Sequence, residues 1–336
     1  MKAAVEIRDL RRDYVVRGGG LLRRTRRSVS ALRGISLDVA EGELFGLLGP
    51  NGAGKTTAIR ILSTLLLPTS GSATVLGHDV VRQAGQVRRE IGILFGGDRG
   101  LYGRVSAWQN LRYFANLYGL SRSLSERRIA EGLRAVGLEE RAQDRVDTFS
   151  RGMKQRLHIA RTLIHDPRLV FLDEPTIGLD PIGARELRDQ VRRLRAMGKT
   201  ILLTTHYMFE ADELCDRIAI IDHGRLVALA SPEELRRMTP DLYVLEIELE
   251  GGRPEAVAQL RELAGPSSTL TTTDLPDRQL VRLQSPRGRD LTAALPSTLA
   301  GARVGSVLVR EPTLEDVYVR MVQGLPAEPP AVEAAP

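Results

Sequence analysis

The sequence predicts an α/β fold in which a mainly parallel sheet is flanked by helices. Apolar runs of strand length alternate with helical stretches over the first two thirds of the chain, a pattern typical of such sheets. The run ELFGLL leads into a glycine-rich loop and a helix, and the run LVFLD is followed by a second acid. Parallel strands bring such loops and acids to one edge of the sheet, so all three observations favour the same architecture.

The elements of this first domain follow in chain order. The strand-like runs are VEIRDLRRDYVV, ELFGLLG, GSATVLG, IGILF, LVFLD, ILLTT and RIAIIDHGRLVALA. Residues 106–165 interrupt the alternation with helical stretches such as SAWQNLRYFANLYGL, so we expect a helical subdomain there. The segment SPEELRRM then closes the domain, with Ser231 as helix N-cap and Pro232 at the first helical position. We therefore expect the first domain to span residues 1–238.

Residues 239–323 are expected to form a separate small α+β domain. YVLEIELEG and QLVRLQS alternate like half-buried strands, EAVAQLREL has a helical pattern, and EPTLEDVYVRMVQG reads as a terminal helix after Pro312. The pattern contains neither a metal-binding cluster nor a nucleophile pair. Residues 324–336 are rich in proline and alanine, which predicts a disordered tail.

Composition places the chain among ordinary globular proteins. Of its 336 residues, 42% are hydrophobic and 27% are charged. The sequence has no run of about 18 apolar residues, and MKAAVEIRDL lacks an apolar core, so we expect neither a transmembrane helix nor a signal peptide. The single cysteine, Cys215, agrees with a reducing compartment. These features predict a protein on the cytosolic side.

The positive charge is concentrated near the N terminus. The formal net charge is +6, and the segment from Arg17 to Arg33 holds six arginines and no acid. Two interpretations remain open: a solvated hairpin tip, or a surface that meets lipid headgroups or a partner's acidic loop. Nucleic acid is not expected, since no zinc-finger or helix-turn-helix pattern accompanies the charge. The residues proposed for peripheral membrane contact are Arg23, Arg24, Arg26 and Arg27.

The loop after ELFGLL has the pattern G-x-x-x-x-G-K-T between a strand and a helix, which predicts phosphate binding. Its glycines let backbone amides curl around a β-phosphate, and the helix dipole favours the anion. Lys55 is expected to reach the β- and γ-phosphates as a catalytic residue, and the Thr56 hydroxyl to bind Mg²⁺. The predicted nucleotide-binding residues are Gly49, Pro50, Asn51, Gly52, Ala53, Gly54, Lys55, Thr56 and Thr57.

Asp173 and Glu174 end the buried run RLVFLDE. A parallel strand delivers such acids to the crevice where nucleotides bind. Asp173 is expected to hold Mg²⁺ through water, and Glu174 to act as the general base that polarises the attacking water. Together with the phosphate loop, these acids predict hydrolysis of a nucleotide.

The order of motifs resembles the ATP-binding cassette (ABC) ATPases over residues 3–235. FSRGMKQRLHIARTLIHDP, residues 149–167, is similar to that family's signature motif and its helix, and it precedes the acidic strand. PTIGLDP and a lone histidine after the next strand complete the order. The resemblance implies an antiparallel β subdomain beside the parallel sheet, and two cassettes that dimerise head to tail, so that each signature closes over the other's ATP.

The resemblance also implies roles for single residues. Ser150, Arg151, Gly152 and Met153 would contact the partner's ATP, although Phe149, Arg151 and Met153 depart from the LSGGQ pattern. Ser150 heads the helix as an N-cap. Further implied roles belong to Asp180 in the loop that crosses the dimer interface, to His206 as the switch that contacts the γ-phosphate and orients Glu174, and to Tyr14, which would stack on adenine.

The glycine-rich stretch IGILFGGDRGLYGR, residues 91–104, lies where the family joins its core to its helical subdomain. The family's glutamine at the strand end corresponds here to Gly96, which has no side chain to reach Mg²⁺ or water. The glutamine's role is then dropped, taken by water or passed to Asp98.

The resemblance implies an ATP-hydrolysing subunit of a transporter. The C-terminal domain resembles the extension on cassettes of type-2 exporters, which carry drugs, polysaccharides, lipids or sodium outward. We then expect ATP and Mg²⁺ as cofactors. The expected partners are a second ATP-binding subunit and integral-membrane permease subunits at the cytoplasmic face of the membrane. The intact Glu174 favours a homodimer with two equivalent sites, and a heterodimer stays open as the alternative. The alternative is a soluble ABC ATPase that acts on ribosomes or DNA; the single phosphate loop and the lack of sustained heptads count against it.

Overall fold

The computed structural model describes residues 2–18, 25–95, 100–238, 242–250, 254–265, 268–286, 291–300 and 302–323. The chain divides into two compact units, Met1–Pro232 and Glu233–Pro336. The division falls inside the SPEELRRM segment, which the sequence assigns to the first domain. The sequence expectations about Arg23, Arg24, Gly96, Asp98 and the tail after residue 323 lie outside the described residues, as do the side chains of Arg26 and Arg27.

The first unit contains two sheets. Its strands are β1 (Ala3–Gly18), β2 (Thr25–Ala40), β3 (Leu44–Leu48), β4 (Ser70–Val75), β5 (His78–Asp79), β6 (Ile91–Phe95), β7 (Leu169–Asp173), β8 (Thr200–Thr205), β9 (Arg217–Asp222) and β10 (Arg225–Ala230). One sheet has the order β10-β9-β3-β8-β7-β6 and is parallel except for β10. The other has the order β2-β1-β4-β5 and is antiparallel. The expected fold class is confirmed.

Seven helices of the first unit, and one at the boundary between the units, have been described. They are α1 (Lys55–Leu62), α2 (Ala84–Glu90), α3 (Ala107–Leu117), α4 (Arg122–Ala135), α5 (Arg151–Leu163), α6 (Pro181–Ala196), α7 (Met208–Leu214) and α8 (Pro232–Arg237), with a 3-10 turn at Val146–Thr148. Ser106 caps α3 because its hydroxyl accepts from the Gln109 amide, while the Gln109 side chain accepts from the Ser106 amide. Within the described ranges, no helix combines the length and hydropathy that a membrane crossing requires.

The run GSATVLG belongs to the antiparallel sheet, the β subdomain that the family resemblance implies, and not to the parallel sheet. It forms β4, which pairs antiparallel with β1. Of the residues of β4, only Ala73 and Val75 are buried. This pattern is typical of a strand with one covered face, which antiparallel sheets accept. By contrast, every residue of β3, β7 and β8 is buried, as in a sheet covered by helices on both faces.

Close packing around β3 leaves no room for a side chain at Gly46, in the middle of the strand. A Cβ on Gly46 would lie 2.8 Å from the Cys215 sulphur, which is buried. We expect Gly46→Ala to lower the free energy of unfolding of the first unit by about 1–3 kcal/mol, the usual effect of overpacking. Urea denaturation would measure it. In a Cys215→Ala background the same change should cost clearly less; an equal cost in both backgrounds would contradict this contact.

The second unit is an antiparallel sheet with helices. Its elements are β11 (Leu242–Glu250), α9 (Pro254–Ala264), β12 (Thr269–Asp274), β13 (Arg278–Pro286), α10 (Leu295–Thr298), β14 (Val304–Arg310) and α11 (Leu314–Gln323), with a 3-10 turn at Thr292–Ala294. The strand order is β12-β13-β11-β14. Four of these, β11, α9, β13 and α11, lie where the sequence predicts them. Strands β12 and β14 lack a clear apolar alternation with a buried face, since most of their residues are exposed.

Alternate residues of β11 face two environments. Leu245, Ile247 and Leu249 join Leu260 of α9 in one apolar cluster. On the opposite face, Glu246 accepts from Arg282 at 3.0 Å and from Arg310 at 2.9 Å. The sheet is therefore apolar on the side of α9 and carries a charged network on the other.

Candidate functional site

Three neighbouring parallel strands end at the same edge of the large sheet. In that sheet β8 lies between β3 and β7, with Leu48 opposite Thr205 and Asp173 opposite Thr204. Because the carboxyl ends of parallel strands meet at one edge, the glycine-rich loop after β3, the acids of β7 and His206 after β8 come together there. This edge is the candidate site.

The loop after β3 is a cradle made of backbone. Gly52 and Gly54 have φ values of 85° and 110°, the left-handed region that favours glycine. A Cβ on Gly49 would lie 2.1 Å from the Ile221 carbonyl oxygen, and one on Gly54 would lie 2.5 Å from that of Ala31. The loop thus leaves no room for side chains at these two positions, and it leads directly into the N terminus of α1, where backbone amides and the helix dipole favour an anion.

Lys55 lies at the first position of α1 and is only 3% exposed. Its Nζ donates to the carbonyl oxygens of Gly49 at 2.7 Å and Pro50 at 3.1 Å, and it lies 3.2 Å from Glu174 Oε1. A buried ammonium group needs such partners. These contacts hold its charge between the glycine loop and the acid at the end of β7.

Asp173 and Thr56 form an oxygen-rich pair. Asp173 is 6% exposed, and its Oδ1 accepts from the Thr204 hydroxyl at 2.6 Å and from the Thr56 hydroxyl at 3.2 Å. Carboxylate and hydroxyl oxygens suit Mg²⁺, which takes few protein ligands and keeps water and phosphate oxygens in its shell. The part of the chain that the structure describes holds no group of three or more His, Cys, Asp or Glu suited to a metal, and this pair fits Mg²⁺ accompanied by phosphates.

Glu174 has an unusual backbone conformation for a residue other than glycine. Its φ is 50°, and its amide donates to the Thr204 carbonyl oxygen at 3.0 Å and to the Thr204 hydroxyl at 3.1 Å. Strained backbone that is fixed in this way is common at functional sites. The conformation places the carboxylate between Lys55 and His206, whose Nδ1 lies 3.4 Å from Glu174 Oε2.

His206 lies immediately after β8, where its imidazole approaches Glu174. Its Nδ1 is buried and does not make a hydrogen bond of good geometry, so its contact with Glu174 Oε2 is one of proximity. The ring packs on that of Tyr207, with the centroids 4.0 Å apart. The structure therefore assembles Lys55, Thr56, Asp173, Glu174 and His206 into one cluster, as the spacing of the motifs predicts.

The segment Ser150–Met153 opens α5. Ser150 caps this helix, since its hydroxyl accepts from the Met153 amide at 3.2 Å. The Arg151 side chain turns to its own chain and donates from Nη2 to the Ile177 carbonyl oxygen at 3.2 Å. Asp180 likewise has a local partner: its Oδ1 accepts from the Gly183 amide at 3.0 Å and caps α6.

Tyr14 lies on β1, opposite Val29 of β2. The guanidinium carbon of Arg12 lies 4.9 Å from the Tyr14 ring centroid, a distance typical of a cation–π contact. Arg12 is itself held by the Leu67 carbonyl oxygen at 2.9 Å. One face of the tyrosine ring is therefore covered by a fixed cation.

Thr204 is a residue of the candidate site that the motifs do not identify. It donates to Asp173 through its hydroxyl and accepts the Glu174 amide through both of its oxygens. The signal that could have found it is a hydroxyl inside a fully buried parallel strand, since buried polar side chains are almost always hydrogen-bonded.

Comparison with known proteins gives consistent results. A family model described as "ABC transporter" matches residues 32–177. The chain is 40% identical over 292 residues to the daunorubicin resistance ATP-binding protein DrrA3 of Streptomyces coeruleorubidus, covering 87% of this chain and 90% of that protein. It is 40% identical over 297 residues to the Nod factor export ATP-binding protein I of Rhizobium sp. (strain N33), covering 86% and 91%.

A solved structure is also similar. It is described as the dimeric structure of a post-hydrolysis state of the ATP-binding cassette MJ0796 bound to ADP and Pi. The TM-score is 0.59 and the sequence identity is 25%, over 68% of this chain and 98% of that one. That cassette was captured with the products of ATP hydrolysis.

Proposed function

The chain belongs to the ABC transporter ATP-binding proteins, and from this premise we propose that it hydrolyses ATP to drive an exporter whose permease is a separate chain. The observation that carries the proposal is the cluster at the edge of the large sheet, where Lys55 Nζ lies 3.2 Å from Glu174 Oε1 and Thr56 lies beside Asp173. The names of the relatives support export, since they are a drug-resistance and a Nod factor export protein.

In this proposal each residue of the cluster has a distinct task. The amides of residues 49–56 bind the phosphates, and Lys55 exchanges its carbonyl partners for β- and γ-phosphate oxygens. Thr56 and Asp173 would hold Mg²⁺, which neutralises phosphate charge when bound. Glu174 accepts the proton of the attacking water. His206, whose Nδ1 lies 3.4 Å from Glu174 Oε2, would contact the γ-phosphate and orient Glu174 once ATP is bound.

The remaining predicted residues act around the adenine and at the dimer interface. We propose that adenine stacks on the face of Tyr14 that Arg12 does not cover. Ser150, Gly152 and Met153 at the start of α5 would close over the ATP of a second copy, and the loop before Asp180 would cross the interface. The solved cassette that is dimeric supports this arrangement. Two copies of one chain would then give two equivalent sites.

We further propose that the chain works at the cytoplasmic face of the membrane through its permease. Contact of Arg23, Arg24, Arg26 and Arg27 with anionic headgroups would add a salt-sensitive attraction. The alternative action on ribosomes or DNA lacks support, because the sequence has one phosphate loop and the two relatives are named for drug resistance and for export.

Co-purification tests this function. The tagged full chain, expressed in its own host, is recovered from detergent-solubilised membranes and its partners are identified by mass spectrometry. We expect an integral-membrane protein in stoichiometric amount, together with Mg²⁺-dependent ATPase activity. Recovery with ribosomes or DNA and without a membrane protein would overturn the export function. A Lys55→Ala chain is the control, since it should retain the permease while losing ATP hydrolysis.

A further inference from the structure

The loop that follows Glu174 is fastened to α5 of the same chain at two points. Gln155 Nε2 donates to the Pro175 carbonyl oxygen at 2.7 Å, in a buried contact. Arg151 Nη2 donates to the Ile177 carbonyl oxygen at 3.2 Å. Arg151 and Gln155 are four residues apart and therefore share one face of α5. Side chains on that face of α5 therefore bind the backbone carbonyl oxygens of the loop.

The Arg151 guanidinium packs against Gly178. A Cβ on Gly178 would lie 2.2–2.3 Å from the guanidinium nitrogens and carbon of Arg151, so the group packs directly on the bare backbone. The φ of Gly178 is 72°, which also favours glycine. A planar fork that packs on a glycine and donates to the preceding carbonyl is a contact that suits arginine more than lysine.

Ile177 carries this contact on to Glu174. Its carbonyl oxygen binds Arg151, and its amide donates to the Glu174 carbonyl oxygen at 3.2 Å. The next turn of the loop is closed by the Leu179 amide, which donates to the Thr176 carbonyl oxygen at 3.0 Å. A continuous chain of hydrogen bonds thus runs from the first residue of α5 to the residue with the strained φ that bears the catalytic carboxylate.

We propose that Arg151 is a positioning residue that couples the two ATP sites of the dimer by fixing the Glu174 loop to α5. This inference rests on the proposed function. In the proposed dimer, the start of α5 faces the ATP of the other copy, while Glu174 acts on the ATP of its own copy. A rigid link between them within one chain transmits closure at one site to the carboxylate at the other. Arg151 then acts through Ile177. This differs from the contact with the partner's ATP that the motif resemblance implies for it.

Steady-state kinetics of the full chain test the coupling. For Arg151→Ala we expect a kcat about tenfold lower, the loss that one hydrogen bond from a charged donor accounts for, and a Hill coefficient that falls to 1. The KM for ATP should stay within about twofold. Arg151→Lys keeps one donor without the planar fork and should recover part of both losses. Arg185→Ala, an exposed arginine of α6, is the matched control and should match the parent.

Two kinetic results would overturn the proposal. If Arg151→Ala raised the KM for ATP tenfold and kept the Hill coefficient of the parent, Arg151 would be a phosphate ligand. If both parameters equalled those of the parent, the contact would have no role in turnover. A parent chain without ATPase activity would instead contradict the proposed function.

Hydrogen exchange of the nucleotide-free chain tests whether Arg151 holds the loop, independently of ATPase activity. Loss of Arg151 should free the loop, so we expect the amides of Ile177 and Leu179 to exchange about tenfold faster in Arg151→Ala than in the parent. The amides within β7 should be unchanged. Equal exchange at Ile177 and Leu179 in the two chains would show that Arg151 does not hold the loop, whatever the ATPase result.

Discussion

Glu174→Gln is expected to lower the kcat for ATP hydrolysis by about a hundredfold or more while ATP binding is retained. Glutamine has nearly the same shape as glutamate, but its amide cannot take the proton of the attacking water, and general-base catalysis contributes about 10²–10⁴ in rate. The backbone at this position is held by Thr204 through the Glu174 amide, so the exchange of side chains leaves the loop in place. A Mg²⁺-dependent ATPase assay measures kcat, and a fluorescent nucleotide measures the Kd.

The same variant should accumulate as an ATP-bound dimer, because in the proposed function hydrolysis is the step that reopens the pair of cassettes. Size-exclusion chromatography with ATP would show twice the mass of the nucleotide-free chain. Glu140→Gln is the control, since Glu140 is an exposed glutamate remote in sequence from the cluster. Turnover of Glu174→Gln within about threefold of the parent would exclude Glu174 as the base.

Local sequence patterns are sufficient to predict the residues at the centre of the candidate site. The phosphate loop follows one buried strand, Asp173 and Glu174 lie at the end of a second, and His206 follows a third. Because three parallel strands share one edge, their spacing along the chain already predicts that Lys55, Asp173, Glu174 and His206 come together. The fold class follows from the same alternation.

Contacts between distant side chains and backbone are outside the reach of such patterns. Thr204 interacts with residues 30 and 31 positions away, and Arg151 reaches Ile177 26 positions along the chain. Neither contact leaves a periodic signal in the sequence. The motif resemblance therefore gives Arg151 only a contact with the nucleotide, and the packing of its guanidinium on Gly178 is known only from the structure. The sheet that β4 joins is likewise not set by its own residues, because a short run of small residues fits either sheet until its partner, β1, is known.

The second unit contains a buried carboxylate with several hydrogen-bond partners. Asp316, in the segment TLEDVY, is fully buried. Its carboxylate accepts from Arg310 at 2.6 Å, from Gln284 at 2.7 Å and from both the amide and the hydroxyl of Thr313 at 2.8 Å. Since Arg310 also binds Glu246 of β11, Asp316 ties the start of α11 to the sheet.

Asp316→Asn is therefore expected to lower the free energy of unfolding of the second unit by about 2–4 kcal/mol. The amide fills the same space but removes the negative charge, which leaves Arg310 with one fewer anionic partner and converts one accepting oxygen into a donor. Differential scanning calorimetry, together with hydrogen exchange in β11 and α11, would follow this unit. Asp277→Asn, an exposed position in the same unit, is the matched control and should change stability by less than about 0.5 kcal/mol.

The pH dependence separates the charge of Asp316 from its shape. Burial alone would raise the pKa of Asp316, but hydrogen bonds from Arg310 and Thr313 outweigh it and hold the pKa below its usual value. A carboxyl whose pKa is lowered by folding stabilises the native state fully above its unfolded pKa of about 3.9, and this contribution is lost as the pH falls through the lower, folded value. The parent should accordingly lose stability in the second unit as the pH falls below about 4, whereas Asp316→Asn should lack this part of the decline. Identical pH profiles for the two chains would mean that the buried carboxylate contributes no net charge–charge stabilisation to the second unit.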